Sequence, residues 1–196
     1  MKISVILAHP DNSSFNHAIA YTAIEVLQQN GHEVSFHDLY KENFNPLLTS
    51  NEIPKDVPLP NEIEKQCQEV SEADGFVIVH PNWWGMPPAM LTGWIDRVIR
   101  PGIAYKFLET DSGEGIPVGL LKAQKAIVFN TSNTETEREK TIFLDPLETI
   151  WKNCIFDLCG VKDFHRKMFN IIVTSSAEQR KEWLNEVREI VSTYFQ

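Results

Sequence analysis

The chain has 196 residues, 42% of them hydrophobic and 23% charged, proportions that suit a globular protein and neither a disordered nor a fibrous one. A formal net charge of −9 argues against a general nucleic-acid binder, which needs a basic footprint to release phosphate counterions. It leaves room for a nucleotide whose phosphate is held by backbone N–H groups. The length supports one domain, residues 1–196, around a sizeable core. No stretch is apolar enough to predict a membrane span, and the opening apolar run reads as too short for a signal peptide. Three cysteines, Cys67, Cys154 and Cys159, lack metal spacing and read as small buried hydrophobes, so a reduced, cytoplasmic setting without bound metal is expected.

Apolar runs and helical periodicity alternate along the chain. Residues 3–8 predict a strand. Ser14-Phe15-Asn16 then leads into a helix with Phe15, Ile19, Ala23, Val26 and Leu27 on one face and Gly31 at its end. Residues 33–39 alternate weakly and predict a second strand, and the four prolines between Tyr40 and Pro60 predict an irregular surface excursion. Asn61 with Glu64 has capping-box form and starts a helix to about Ala73. The run 75–80 reads as a strand buried on both faces. A helix opened by Pro87 or Pro88 follows, reaching Arg100 with Met90, Leu91, Trp94, Ile95, Val98 and Ile99 at helical spacing. After a loop holding Gly102, Gly113, Gly115 and Pro117 come a buried strand over 125–131, a charged loop or irregular helix start over 133–140, a helix over 143–158 ending at Gly160, and a strand over 167–174. Ser176 with Gln179 caps a last helix with Trp183, Leu184, Val187, Ile190 and Val191 inward.

Five strands alternating with five helices predict an α/β, flavodoxin-like, doubly wound, five-stranded parallel sheet of order 2-1-3-4-5 in a three-layer sandwich. In such a sheet the ligand crevice lies outside the carboxyl ends of the strands, among the loops after the first, third and fourth. The first loop offers His9, Ser13, Ser14 and the N–H groups around Phe15 and Asn16 to a phosphate; the same residues also make a plain serine cap beside a surface histidine. Neither GxxxxGK[ST] nor GxGxxG occurs. The second loop, Pro81-Asn82-Trp83-Trp84-Gly85, sets two indoles in a turn, which suits a flat aromatic ligand, with plugging of the core as the structural alternative. The third, Asn130-Thr131-Ser132-Asn133-Thr134, supplies hydrogen-bonding groups or is simply solvated.

The chain resembles the NAD(P)H:quinone oxidoreductase family of flavodoxin-like flavoproteins, which includes ancillary reductases of potassium-efflux systems. The resemblance is carried by Leu7-Ala8-His9-Pro10, Ser14-Phe15-Asn16, the block from Pro81 to Leu91, Gly93-Trp94-Ile95-Asp96-Arg97-Val98 and Gly102-Ile103-Ala104-Tyr105. It implies that His9, Ser14, Phe15 and Asn16 hold a flavin phosphate and that Pro81, Asn82, Trp83 and Trp84 line the isoalloxazine, where Gly85 allows the backbone a close approach. It further implies that Arg180 reaches the adenine part of FAD, which favours FAD over FMN, an exposed helix charge being the alternative. The family's Gly-Gly pair, Tyr and His after the fourth strand are absent between Thr131 and Ile150, so ring contacts fall to Thr131, Ser132, Asn133 or Thr134, and any charge stabilisation to Arg138 or Lys140.

The resemblance implies hydride transfer from NAD(P)H through a bound flavin to a quinone or similar acceptor, by a ping-pong mechanism. It also implies a homodimer in which Tyr105 or Phe107 closes a neighbour's pocket, to which the apolar side of the Met90 to Ile99 helix is suited. A flavodoxin-type electron carrier and a flavin- or nucleotide-binding regulatory module for a partner such as an ion-efflux system remain as rival readings.

Overall fold

The computed structural model describes residues 1–54, 56–108, 115 and 117–196; Gly113, expected in a loop, lies outside them. Five parallel strands form the sheet: β1 (Lys2–Leu7), β2 (Glu33–Asp38), β3 (Gly75–Pro81), β6 (Lys125–Ser132) and β7 (Asp163–Asn170), in the spatial order β2-β1-β3-β6-β7. The two short strands β4 (Tyr105–Lys106) and β5 (Val118–Gly119) pair with each other as an antiparallel ribbon apart from that sheet. Long helices α1 (Phe15–Gln29), α2 (Asn61–Glu72), α3 (Ala89–Val98) and α6 (Ala177–Tyr194) connect or follow the strands.

Continuous apolar runs suit strands covered on both sides, and all seven residues of β3 are buried. Because successive side chains point to opposite faces, each strand feeds two cores. Ile6, Phe76, Ile78, Ala126 and Val128 pack with Ile63 and Cys67 of α2 and Leu91 and Trp94 of α3. Val5, Leu7, Val77, Val79, Ile127 and Phe129 pack with Ile19 and Leu27 of α1 and Val187 and Val191 of α6. Each Val, Leu, Ile or Phe among them contributes about 1.5–3 kcal/mol by leaving water. No described helix is long and apolar enough to cross a membrane.

The excursion before α2 is tied down from α3. Arg97 donates from Nε and Nη2 to the two Glu52 oxygens, at 2.8 and 3.0 Å, and from Nη1 to the Asn45 carbonyl at 2.6 Å. Gly93 lets the segment lie flat on the helix, since a Cβ there would stand 2.2 Å from the Pro46 carbonyl oxygen.

Several elements differ from expectation. The last sheet strand begins at Asp163 and ends at Asn170, not Thr174, because Ile171 turns left-handed at φ 60° and Ile172–Thr174 form a 3-10 turn. As an edge strand paired only with β6, β7 has a half-exposed face, so its polar first half carries no apolar run. The helix expected from Phe143 is delayed by positive φ at Leu144 and Asp145. It starts as α5 (Pro146–Glu148) and continues as a π-helical stretch, Thr149–Asp157. A short helix, α4 (Thr136–Thr141), stands where a charged loop or irregular helix start was expected. Pro60 occupies the cap position of α2, so Asn61 is already helical and its side chain makes no cap bond. Cys67 and Cys159 are buried, but Cys154 is exposed.

Candidate functional site

The carboxyl ends of β1, β3 and β6 carry three loops that meet around a cavity of about 400 Å³. From the first come His9, Ser14, Phe15 and Asn16; from the second Pro81, Asn82 and Trp83; from the third Thr131, Ser132 and Asn133; Arg180 of α6 closes the far side. Asp11, Ser13 and Ile172 also line it.

Ser14 is the N-cap of α1 and its hydroxyl accepts from the His17 N–H. Phe15 and Asn16 are therefore the first helical residues, whose N–H groups have no carbonyl one turn earlier to bond and which carry the positive end of the helix dipole. Asp11 braces the loop by accepting from the backbone N–H and hydroxyl of Ser13 at 2.8 and 2.7 Å. His9 Nδ1 accepts from the Asp11 N–H at 3.1 Å, and its ring lies 5.9 Å from that of Trp83. Burial holds the His9 imidazole below its ordinary pKa, against the opposing pull of the Asp11 carbonyl oxygen 3.3 Å from Nδ1.

The loops are stitched to one another. Asn16 Nδ2 donates to Thr131 Oγ1 at 2.9 Å, joining the first to the third, and the Asn82 N–H donates to the Thr131 carbonyl at 2.7 Å, joining the second to the third. Asn16 is 3% exposed, and its Oδ1 has no hydrogen-bond partner. Gly85 N–H donates to Asn82 Oδ1 at 3.0 Å, closing a turn in which Trp84 and Gly85 have φ of 59° and 73°. A Cβ on Gly85 would stand 2.7 Å from Pro146 Cγ, so glycine serves both the positive φ and the close approach.

Trp84 and Gly85 border a second cavity, of about 610 Å³, that shares Asn82, Ser132 and Asn133 with the first and adds Thr134, Glu139, Phe143 and Pro146. The indoles do not plug the core: Trp83 is 41% exposed and Trp84 95%.

A family model described as flavodoxin-like fold matches residues 1–191. An uncharacterized NAD(P)H oxidoreductase of Haemophilus influenzae is 35% identical over 181 residues, covering 90% of this chain and 87% of that protein. The chain belongs to the flavodoxin-like family of NAD(P)H:quinone oxidoreductases. Among solved structures, Smu.1420 of Streptococcus mutans is 30% identical with a TM-score of 0.81, covering 98% of this chain and 100% of that one. The NAD(P)H:quinone oxidoreductase of Methanothermobacter marburgensis is 26% identical with a TM-score of 0.83, covering 98% and 96%.

In this oxidoreductase the expected charge donors are absent from both cavities: neither Arg138 nor Lys140 lines either one. They flank Glu139 on α4, and with about 100° between successive helical residues, the turn that buries Glu139 swings both neighbours outward. The Arg138 guanidinium instead lies 5.2 Å over the Phe143 ring. Arg180, by contrast, is not a free helix charge. It donates to Ser175 Oγ at 2.8 Å and to the Ile172 carbonyl at 3.0 Å, and lies 5.9 Å over the Phe15 ring. Tyr105 and Phe107 lie away from both cavities, in a groove with Ile99, Arg100 and Cys154.

Glu139, Phe143 and Pro146 escaped sequence reasoning because nothing local marks them, and so did Asp11 and Ile172 of the smaller cavity, whereas Ser13 was among the first-loop candidates. Beneath the second loop, His80 is fully enclosed. Its Nδ1 lies 2.8 Å from the Pro81 carbonyl, and its Nε2 accepts from Trp151 Nε1 at 2.8 Å and Asn130 Nδ2 at 2.9 Å. Two donors on Nε2 place the proton on Nδ1. Arg166 extends the network to Asn130, Glu148 and Asp145. It braces the segment that carries Phe143 and Pro146 to the second cavity.

Proposed function

We propose that the chain is a flavin-dependent NAD(P)H oxidoreductase that passes hydride from NAD(P)H to a quinone or similar acceptor, the two substrates taking turns at one face. The observation that carries this is the 400 Å³ cavity where three loops converge on a helix N-terminus, with the buried, unpartnered Oδ1 of Asn16 in its wall. A flavin nucleotide fits that donor set. Ser14 and the first N–H groups of α1 would take its phosphate, Asn16 and Thr131 its polyol or ring polar groups, and Pro81, Asn82 and Trp83 its ring system. Bound there, a flavin supplies two-electron hydride chemistry, which none of the protein's own side chains offers.

The protein's part is positioning and exclusion of water. The Thr131 bonds fix the ring-lining loops to within hydrogen-bond tolerance, and the adjoining 610 Å³ cavity, walled by Trp84, Phe143 and Pro146, gives a planar substrate a place beside the ring. That second cavity favours an enzyme over a flavodoxin-type carrier, which needs only an exposed ring edge. Clamped at the far side of the first cavity, Arg180 supports FAD; FMN is the smaller alternative. Around the second cavity, Trp84, Met86, Phe143 and Leu144 are exposed, and a second copy of the chain covering them accounts for a homodimer with the site at its boundary. A cytoplasmic setting fits an exposed free thiol at Cys154.

An absorbance spectrum of the purified protein, with mass spectrometry of the released ligand, tests the cofactor. Stopped-flow mixing with NADPH and with NADH tests the reaction. Flavin-loaded protein that neither nucleotide reduces within minutes would overturn the reductase.

A further inference from the structure

Among the described residues that line the larger cavity, one side chain is ionisable: Glu139, which is 1% exposed. Its Oε1 accepts from Asn82 Nδ2 at 2.8 Å, while Oε2 has no hydrogen bond or ion pair with a described residue. The sealed side-chain oxygens without a partner belong to Ser4, Asn16 and Asp145, so Glu139 Oε2, equally unpartnered, keeps contact with the cavity. The Arg138 guanidinium, 5.2 Å over the Phe143 ring, neither lines the cavity nor pairs with Glu139. A buried carboxylate with an oxygen left unbonded is costly. Here a ligand can complete it.

We infer that Glu139 is a specificity-determining residue: it fits the larger cavity to neutral planar rings bearing a primary carboxamide and turns away rings bearing a carboxylate. This rests on the reading of that cavity as the substrate's place beside a flavin. The other polar groups of the lining complement the carboxylate. Asn133 Oδ1 accepts from the Val173 N–H at 3.0 Å and Ser132 Oγ from the Thr134 N–H at 3.1 Å, which leaves the Asn133 amide hydrogens and the Ser132 hydroxyl hydrogen to donate. Trp84, Phe143 and Pro146 supply the apolar surface for a ring.

A primary carboxamide answers both kinds of group: its N–H2 donates to Oε2 and its carbonyl accepts from Asn133 or Ser132. A ketone in its place answers only the donors. A carboxylate of the same shape sets a second negative charge against Oε2, with no lining cation to offset it. Two like charges a few ångströms apart in partly screened surroundings repel strongly enough to move a binding constant by more than about tenfold. The nicotinamide ring, hydride donor of the proposed reaction, carries such a carboxamide. Bracing Asn82, by contrast, needs only Oε1. Glu139→Gln can keep that bond while turning the second position from acceptor into donor, which separates a structural role from a selective one.

The test is a titration of flavin-loaded, 15N-labelled protein with benzamide, acetophenone and benzoate, three rings of nearly equal shape. It is read from the indole N–H signal of Trp84, which lines the larger cavity, whereas Trp83 lines the smaller. In the native protein benzamide is expected to bind tightest and benzoate weakest, at least about tenfold apart. In Glu139→Gln that gap should close or reverse. Should the variant fold poorly, the ranking in the native protein decides by itself, acetophenone separating the lost hydrogen bond from the added charge. Benzamide and benzoate binding alike, a gap that survives Glu139→Gln, or no response of Trp84 to any of the three overturns the inference. Stopped-flow reduction of the same preparation by NADPH keeps the two readings apart: reduction without the ranking retains the reductase and sinks the role of Glu139. If the protein takes up no flavin, the reductase reading falls, and the same titration of the unloaded chain still decides the inference by the same ranking.

Discussion

Asn82 Nδ2 donates to Glu139 Oε1 across 2.8 Å, tying the tryptophan turn to a helix 57 residues further along the chain. The same side chain accepts from the Gly85 N–H, so one amide holds both the turn's shape and its position against α4. We expect Asn82→Ala to cost about 1–3 kcal/mol in urea unfolding, because it strips the partner from Glu139, which is 1% exposed. The same variant should lower flavin retention on gel filtration. Stability and retention both unchanged would show that the tie does not hold the site.

Asn16 joins the first loop to Thr131 and lines the cavity, its buried Oδ1 having no hydrogen-bond partner, while Trp83 lines the same cavity from the second loop. Asn16→Ala and Trp83→Ala should each weaken flavin binding at least tenfold by fluorescence titration, about 1.4 kcal/mol. Yellow protein at full occupancy in both variants would refute the assignment of the cavity.

His80 governs a pH window. Burial, opposed by the Pro81 carbonyl bond and aided by the Arg166 charge, pushes its pKa down from 6.5 to about 4. The unfolded chain then binds more protons between those values, so this group's contribution is complete above about pH 6.5 and is lost as pH falls to about 4. At about 1.4 kcal/mol per unit, the loss is about 3 kcal/mol. His37 has the opposite sign. Its burial is outweighed by hydrogen bonds to Glu42 and Glu69, which raise its pKa, so its contribution is present below 6.5 and fades as pH climbs through the raised value. Urea midpoints measured from pH 4.5 to 7.5 should fall toward acid in the native protein, with a shallower fall in His80→Gln. Equal slopes in the two proteins would assign the acid sensitivity elsewhere.

The cysteines divide by exposure. Burial pushes the Cys67 and Cys159 thiols up to about 11, whereas Cys154 faces solvent. A thiol-reactive dye at pH 8 should therefore label one cysteine rapidly in the native protein and all three only in denaturant, peptide mapping placing the fast label on Cys154. Fast labelling of Cys67 or Cys159 would contradict their place in the core.

Gly93 supports the excursion rather than the site. Gly93→Ala should lower stability by about 1–3 kcal/mol, as overpacking against backbone does, because the Pro46 carbonyl cannot move aside without pulling on the Asn45 carbonyl bonded to Arg97. A thermal midpoint equal to that of the unaltered protein would mean the segment slides freely on α3.

Elements whose two faces are both buried were legible in the sequence. The runs of β1, β3 and β6 announce themselves because their central residues are buried on both faces and mostly apolar, and α1 and α6 because a serine cap precedes a helical stripe in each. β7 was displaced because an edge strand alternates in environment, and its Asp163, His165 and Arg166 break any apolar signal. The start of α5 was misplaced for a related reason. Left-handed φ at Leu144 and Asp145 is imposed by the bond from the Asp145 N–H to the Glu139 carbonyl and by the Arg166 ion pair, neither of which leaves a local trace.

The site divides along the same line. Its first two loops were readable, since the residues that line the smaller cavity fall within two short segments, from His9 to Asn16 and from Pro81 to Trp83. The sequence by itself thus determined the α/β alternation, the family and two walls of the crevice, all properties of short segments. Only the tertiary structure decided that Glu139 rather than Arg138 or Lys140 faces the second cavity, that Arg180 is clamped beside Phe15, and that Ser14, His17 and Asp38 form one chain. Those outcomes depend on which side of a turn or helix meets a partner tens of residues away, and that is fixed by packing, on which local composition is silent.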